Sequence, residues 1–319
     1  MLISPNANLL LALDPNHPNY GAVPGRYANR IGGAKFTVDG VTYNTPQNDG
    51  PNTLHSGPNG WGFRTFNVTS VSSNSITFSI HDPDMSTGMP GAVDALITYT
   101  LTSQTWNIKI TASSPDKRTP LMLTQHTYFN LDAFANPNTD LIWNHTYSTP
   151  FSKRLLEPDA SMVPTGKLTT IPKNDINDFW SKPKEIGASI GSPGWVGNCG
   201  TSNGCEGYNN CWIVDKNPIL DRPVATLSSA WSGIKLDIHT NQGAVQLYTC
   251  YYMNGQIPIK KTQGGHGSAT NGFVKSGGCL ALEAQDWNDA INHPEWGRKQ
   301  FYGPGDKYNW EATYKFGLL

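Results

Sequence analysis

The sequence predicts an all-β fold dominated by antiparallel sheet, and three observations carry that prediction. Short segments alternate apolar and polar residues, most cleanly Ile76-Thr77-Phe78-Ser79-Ile80 and Trp106-Asn107-Ile108-Lys109-Ile110, the period of a strand with one buried and one wetted face. Turn formers are abundant, with 32 Gly and 23 Pro. No segment holds a helical period for three turns. Residues 1–319 show no fixed repeat, low-complexity tract or linker-like break, so we read them as one large domain, a size all-β proteins reach.

Taken in order, the first two dozen residues are irregular and rich in Asn and Pro. Residues 34–43 then alternate on both sides of Asp39-Gly40, the strongest short hairpin signal. A long polar loop at 48–63 precedes strands at 64–71, 75–81, 95–102 and 105–112, with turns at 69–75 and Ser103-Gln104. A strand is expected over 120–131. Residues 133–208 weaken into polar loops and short strands, with at most a helical turn at 175–180. Strands resume at 211–214, 224–228, 233–240 and 244–252, followed by the strand carrying Glu283 and a last one at 310–316.

Charge excludes several partner classes. Lys+Arg 23 against Asp+Glu 24 leaves a net charge of -1 without a basic block, so neither nucleic acid nor an anionic membrane surface is an expected partner. No run is long enough to span a bilayer. Leu9-Leu10-Leu11-Ala12-Leu13 is too short and lacks both a basic flank and a cleavage site, so the chain as written carries no export signal.

Five cysteines could all be free thiols in a cytosolic protein. Cys199 and Cys205, six apart in a Gly/Asn/Ser-rich loop, could equally close a small disulfide loop, and Cys250 and Cys279 lie in separate strand candidates that could be bridged. Cys211 is then left over. Sequons at Asn67 and Asn144 lean the same way. We therefore expect an extracellular, oxidising history, with the export segment outside this chain and the cytoplasm as the alternative.

The chemistry-bearing residues are scattered. Glu283 ends the apolar run Gly278-Cys279-Leu280-Ala281-Leu282, where a carboxylate is costly unless paired or solvated. It is either a strand end delivering a side chain to water or a general base in a cleft wall. His126 is a satisfied core histidine or a proton donor, since imidazole titrates near neutral pH. His55, among the glycines of the long loop, is an exposed loop residue or a ligand. Arg26, Asn29 and Arg30 sit between glycines, where an arginine either packs on a turn or offers its fork of donors to a ligand. There is no phosphate-cradling glycine loop and no Gly-x-Ser-x-Gly turn. Cys and His lack paired zinc spacing, so no metal is expected. Paired acids for glycoside hydrolysis stay open.

Five stretches, in order, resemble the motifs of aldose 1-epimerases, also called galactose mutarotases. They are residues 25–31, Asn52-Thr53-Leu54-His55-Ser56-Gly57, His126-Thr127-Tyr128-Phe129-Asn130-Leu131, Gln246-Leu247-Tyr248-Thr249, and Leu282-Glu283-Ala284-Gln285 through Asn292-His293-Pro294. The likeness runs from about Gly21 to the C-terminus and is closest to the secreted fungal branch. It implies a large antiparallel β-sandwich of the galactose mutarotase-like supersandwich type, binding a free sugar without cofactor or metal. It also implies that Glu283 is the base and His126 the acid of a ring opening and closure that interconverts anomers. Asn29, Arg30, His55, Asn209 and Gln246 fall on positions that hold sugar hydroxyls in the family. Such a pair works near neutral pH when Glu283 is ionised and His126 carries a proton.

The chain departs from the pattern at three places. Asn209 stands where the family usually has Asp, keeping an acceptor but adding a donor and removing a charge. Ala284 replaces a common Thr, and Gln125 a common Asn. The chain also begins at least one hairpin late, which is expected to leave a sheet edge bare. The leading expectation is an isomerase of free hexoses or pentoses. A sugar-binding protein on the same scaffold with little catalysis is the second, motivated by Asn209. A sugar-phosphate epimerase is disfavoured, because only Arg26 and Arg30 lie near the expected site. The preferred sugar and the oligomeric state are not legible.

Overall fold

The computed structural model describes residues 19–200, 204–215, 221–259, 263 and 272–319. The irregular start, with its apolar run at 9–13, lies almost wholly outside them. Among the described residues there is no α-helix, only short 3-10 turns, and no helix is long and apolar enough to cross a membrane.

Two antiparallel sheets make the body. The larger has nine strands in the order Lys184–Glu185, Thr146–Ser148, Ala225–Ser228, Ile234–Thr240, Tyr308–Leu318, Thr105–Ser113, Val93–Thr102, Ser75–Asp82 and Asn67–Val71. The smaller has six, in the order Tyr128–Phe129, Leu280–Gln285, Ala244–Tyr248, Asn209–Ile213, Arg154–Pro158 and Pro164–Thr170. The alternation read from the sequence decides what lies between them. Ile97, Ile108, Ile110, Leu236, Ile238 and Trp310 of the large sheet share one buried cluster with Trp212, Val245, Leu247, Leu280 and Leu282 of the small one. Each such side chain contributes about 1.5–3 kcal/mol of transfer free energy, so this layer fixes the register of both sheets. The fold is the expected antiparallel sandwich.

Local signals held where turn chemistry was explicit. Lys35–Val38 pairs with Val41–Asn44, and Asp39 and Gly40 both have positive φ, 52° and 78°, as a two-residue hairpin turn of the right twist requires. The long loop is pinned to the motif before it, because Thr53–Leu54 pairs with Arg30–Ile31. Gly60 permits this close packing: a Cβ there would collide with the His55 carbonyl oxygen.

Three expected elements differ. Residues 120–131 are not one strand but a relay of short pairings: Thr119–Pro120 with Phe301–Tyr302, single bridges of Met122 to Tyr27 and His126 to Ala22, then Tyr128–Phe129 with Leu280 and Ala281. The segment is buried throughout, so its apolar run reads as strand while its partners change every few residues. The expected strand 244–252 stops at Tyr248, and Cys250 adopts φ 57°. Residues 175–180 form hydrogen-bonded turns rather than a helical turn, with Asp178 N–H donating to the Asp175 carbonyl at 3.0 Å.

Candidate active site

Strand alternation places the carboxylate. Leu282 and Ala284 point into the inter-sheet core, so Glu283 between them points to the opposite face of the small sheet. The strand runs on to Gln285, and Glu283 is only 2% exposed. The reading of a strand end delivering a charge to water is therefore overturned. Register then aligns a row across the sheet, with Gln246 opposite Glu283 and Cys211 opposite Gln246.

The irregular relay delivers the histidine. Reciprocal backbone hydrogen bonds clamp the segment, His126 N–H to the Ala22 carbonyl and Gly21 N–H to the His126 carbonyl, both at 2.9 Å. His126 Nε2 then lies 3.6 Å from Glu283 Oε1. Among the described residues, His126 Nδ1 and Glu283 Oε2 are buried without a hydrogen-bond partner. Buried polar atoms of this kind are uncommon, and a catalytic role is one of the reasons a native fold keeps them.

The glycine-bounded motif supplies the rim. Asn29 and His55 both have positive φ, 55° and 51°, a strained conformation for such residues. Asn29 N–H donates to His55 Nδ1 at 3.1 Å, and His55 N–H donates to the Asn29 carbonyl at 3.0 Å. His55 in turn stands edge-on to His126, ring centroids 5.3 Å apart. Arg30 is mostly buried and its Nε donates to Asp49 Oδ2 at 2.6 Å. Asn29, Arg30, His55, His126, Asn209 and Glu283 all line one cavity of about 190 Å³. That is below the roughly 300–1,000 Å³ of drug-sized sites, a scale suited to one small polar molecule. Gln246 stands behind the wall, donating from Nε2 to Asn209 Oδ1 at 2.8 Å. The two arginines of the motif part company. Arg26 is fully buried against Asp82, Nε to Oδ2 at 2.9 Å, and against a row of loop carbonyls, so it is structural.

Asn19, Leu54, Tyr128, Tyr248 and Tyr252 also line the cavity and were not foreseen. Tyr128 and Tyr248 follow His126 and Gln246 by two residues, and same-face alternation would have found them. Nothing in the local sequence marks Asn19 or Tyr252.

Burial sets the electrostatics. It pushes the Glu283 carboxyl up to about 8, with Arg30 opposing the rise. Burial likewise pushes His126 down to about 4, and holds His55 well below the usual imidazole range, helped by His126 and Arg30. Attraction across 3.6 Å works the other way and favours both charges. Near neutral pH the pair therefore holds one proton between its two members.

His55, His126 and Glu283 bring three ligand-type atoms within 4.8 Å. The hydrogen bonding argues against a metal there. The Nδ1 lone pair of His55 is taken by Asn29 N–H, so the neutral ring carries its proton on Nε2 and offers no free nitrogen. It is instead a donor beside the pair.

A family model described as aldose 1-epimerase matches residues 3–315. The chain belongs to the aldose 1-epimerase family. It is 37% identical to a probable aldose 1-epimerase of Arthroderma benhamiae, the match covering 94% of this chain and 74% of that one. It is 32% identical to galactose mutarotase of Rattus norvegicus, over 94% and 80% of the two chains. Among solved structures it resembles the aldose epimerase homologue of C. elegans with a TM-score of 0.81 and 25% identity, covering 100% of this chain and 87% of the other. Against this family background two of the departures lie off the cavity. Ala284 faces the core, and its carbonyl accepts from Thr124 Oγ1 and Trp310 Nε1, both at 2.8 Å. Gln125 ties Gly21 and Tyr99 together, donating to the Gly21 carbonyl at 2.7 Å and accepting from Tyr99 Oη at 3.0 Å. Only Asn209 departs on the wall itself.

Proposed function

We propose that this protein interconverts the α and β anomers of a free aldose, with Glu283 as base and His126 as acid. The observation that supports it best is the buried pair, 3.6 Å apart, lining a cavity of monosaccharide scale. Glu283 removes the proton of the C1 hydroxyl while His126 gives its proton to the ring oxygen. The C1–O5 bond breaks, the open aldehyde turns about C1–C2, and closure returns both protons. The pair's single proton, placed on His126, is what this cycle needs, so no external proton is consumed. His55 Nε2–H, Arg30 and Asn29 supply donors to hydroxyls, and Tyr128 and Tyr248 give the ring faces that pack against a pyranose. With Arg26 held in the fold by Asp82, Arg30 is the one cationic side chain among the described residues that lines the cavity apart from the histidines, which favours a free sugar over a sugar phosphate.

The test is polarimetry on freshly dissolved α-glucose and α-galactose. The wild type should accelerate the approach to equilibrium, and Glu283→Gln should lose about 10²–10⁴-fold of that rate while still binding sugar. Binding without any acceleration by the wild type would support a sugar-binding protein instead. We also infer an oxidising compartment. Cys199–Cys205 and Cys250–Cys279 are paired with Cα separations of 5.5 and 5.6 Å, leaving Cys211 buried and free. Intact mass of natively expressed protein, with and without alkylation, checks the pairing.

A further inference from the structure

Three amides behind the cavity wall and Asn209 on it are joined in series beside Glu283. Gln285, two residues along the same strand, donates from Nε2 to Asn288 Oδ1. Asn288 donates from Nδ2 to Gln246 Oε1 at 3.0 Å, and Gln246 donates from Nε2 to Asn209 Oδ1 at 2.8 Å. Gln285, Gln246 and Asn288 are each at most 4% exposed, so water does not scramble the sequence of donors and acceptors.

One end of such a chain must be left over, and burial decides which. At Gln285 the unpartnered atom is Oε1. An orphaned carbonyl oxygen is more readily tolerated than an orphaned N–H, so this polarity is preferred over its mirror image, which would strand the Gln285 amide hydrogens. Polarity set at Gln285 is passed from amide to amide, because each can donate only from nitrogen and accept only at oxygen. At the far end the oxygen of Asn209 is occupied.

We infer that Gln285, Asn288 and Gln246 are positioning residues that hold Asn209 with its NH2 toward the cavity, so that this wall recognises a sugar oxygen as a hydrogen-bond acceptor. The inference rests on the proposed sugar site and specifies its polarity. With His55 Nε2–H and Arg30, Asn209 adds a third donor to the cavity lining, and among the described residues that line it Glu283 is the only carboxylate. A neutral amide at this place also avoids a second negative charge, which would raise the Glu283 pKa further.

Deoxy and deoxyfluoro sugars read this polarity, since carbon-bound fluorine accepts a weak hydrogen bond and cannot donate one. Each monodeoxy and monodeoxyfluoro derivative of glucose and of galactose is used as a competitor of the parent sugar. At one hydroxyl position the fluoro sugar should bind within about 3-fold of the parent while the deoxy sugar weakens about 10-fold, the loss of roughly one hydrogen bond. In Asn288→Asp the new carboxylate can only accept, from both Gln285 and Gln246. Gln246 must then turn, Asn209 must turn with it, and its oxygen swings to the cavity. The fluoro sugar should now bind as weakly as the deoxy sugar at that position. Asn209→Asp, which makes the wall an acceptor directly, should show the same reversal and serves if Asn288→Asp does not fold. The inference is overturned if no position shows the fluorine advantage in the wild type, or if both variants keep it. Ligand-observed NMR titration of the same sugars reads the pattern even in the absence of turnover, so failure of the catalytic proposal is seen separately.

Discussion

Glu283 and His126 present an apparent conflict: the expected roles need two charges, and burial opposes both. The conflict resolves when the pair is counted together. Below about 4 both members hold protons, and above about 8 neither does. Between those limits the pair holds one proton, and the fraction with that proton on His126 does not change with pH. The rate kcat/KM should therefore be flat from about pH 4 to about pH 8 and fall on both sides. A pH profile of mutarotation, corrected for the buffer rate, checks this, and a maximum confined to one limb contradicts it. The same burial has a stability consequence with a definite sign. Glu283 titrates higher in the folded state than in the unfolded one, so its contribution is fully present below the unfolded value and is lost as pH rises through about 8. Glu283→Gln should melt higher than wild type at pH 9, by at least about 2 °C, and the gap should close at pH 4. At this scale the sequence carried much of the answer. Glu283 stood out as a carboxylate in an apolar run, while its burial and its distance to His126 depended on contacts 157 positions apart that no local pattern encodes.

Elements explain why some readings transferred and others did not. Where residues alternate against a constant partner, as in 93–102 and 105–113, strand bounds were legible to within two residues. Where the chain changes partners, as in 120–131, the same apolar run reads as one strand and the element is a relay of short pairings instead. The glycine-bounded motif is a second case, because its arginines looked alike and only one reaches the cavity. The difference lies in Asp82 at the end of Ser75–Asp82, which accepts from Arg26, Arg64, Trp61 Nε1 and Ser86. Removing it strands the fully buried Arg26 guanidinium, and breaking one side of a buried pair costs about 3–5 kcal/mol. Asp82→Ala should lower the denaturation midpoint accordingly in a urea titration. Because Arg26 lies four residues before Arg30, its sugar KM should rise as well.

At the scale of the molecule, the two sheets share a core that leaves one face of the small sheet free for chemistry, and loops from distant parts of the chain close over it. Two disulfides stand near this arrangement, and Cys279 immediately precedes the Glu283 strand while Cys250 follows the Gln246 strand. Bridging residues 29 apart restricts the unfolded chain more than bridging residues 6 apart. By loop-closure entropy, reduction of both should cost about 6 kcal/mol, the larger share from Cys250–Cys279, which denaturation with and without dithiothreitol measures. The all-β class, the sandwich and the family were legible, because alternation and ordered motifs are properties of the sequence. Tyr252, Asn19 and the amide series were not, since they are brought together only by the closed fold. The most direct test of the account is magnetisation exchange between the α and β anomeric protons of glucose or galactose at equilibrium. Wild-type protein should produce strong exchange cross-peaks that Glu283→Gln and His126→Gln abolish while both variants still bind sugar. Exchange that persists undiminished in both variants, or is absent with the wild type, would contradict it.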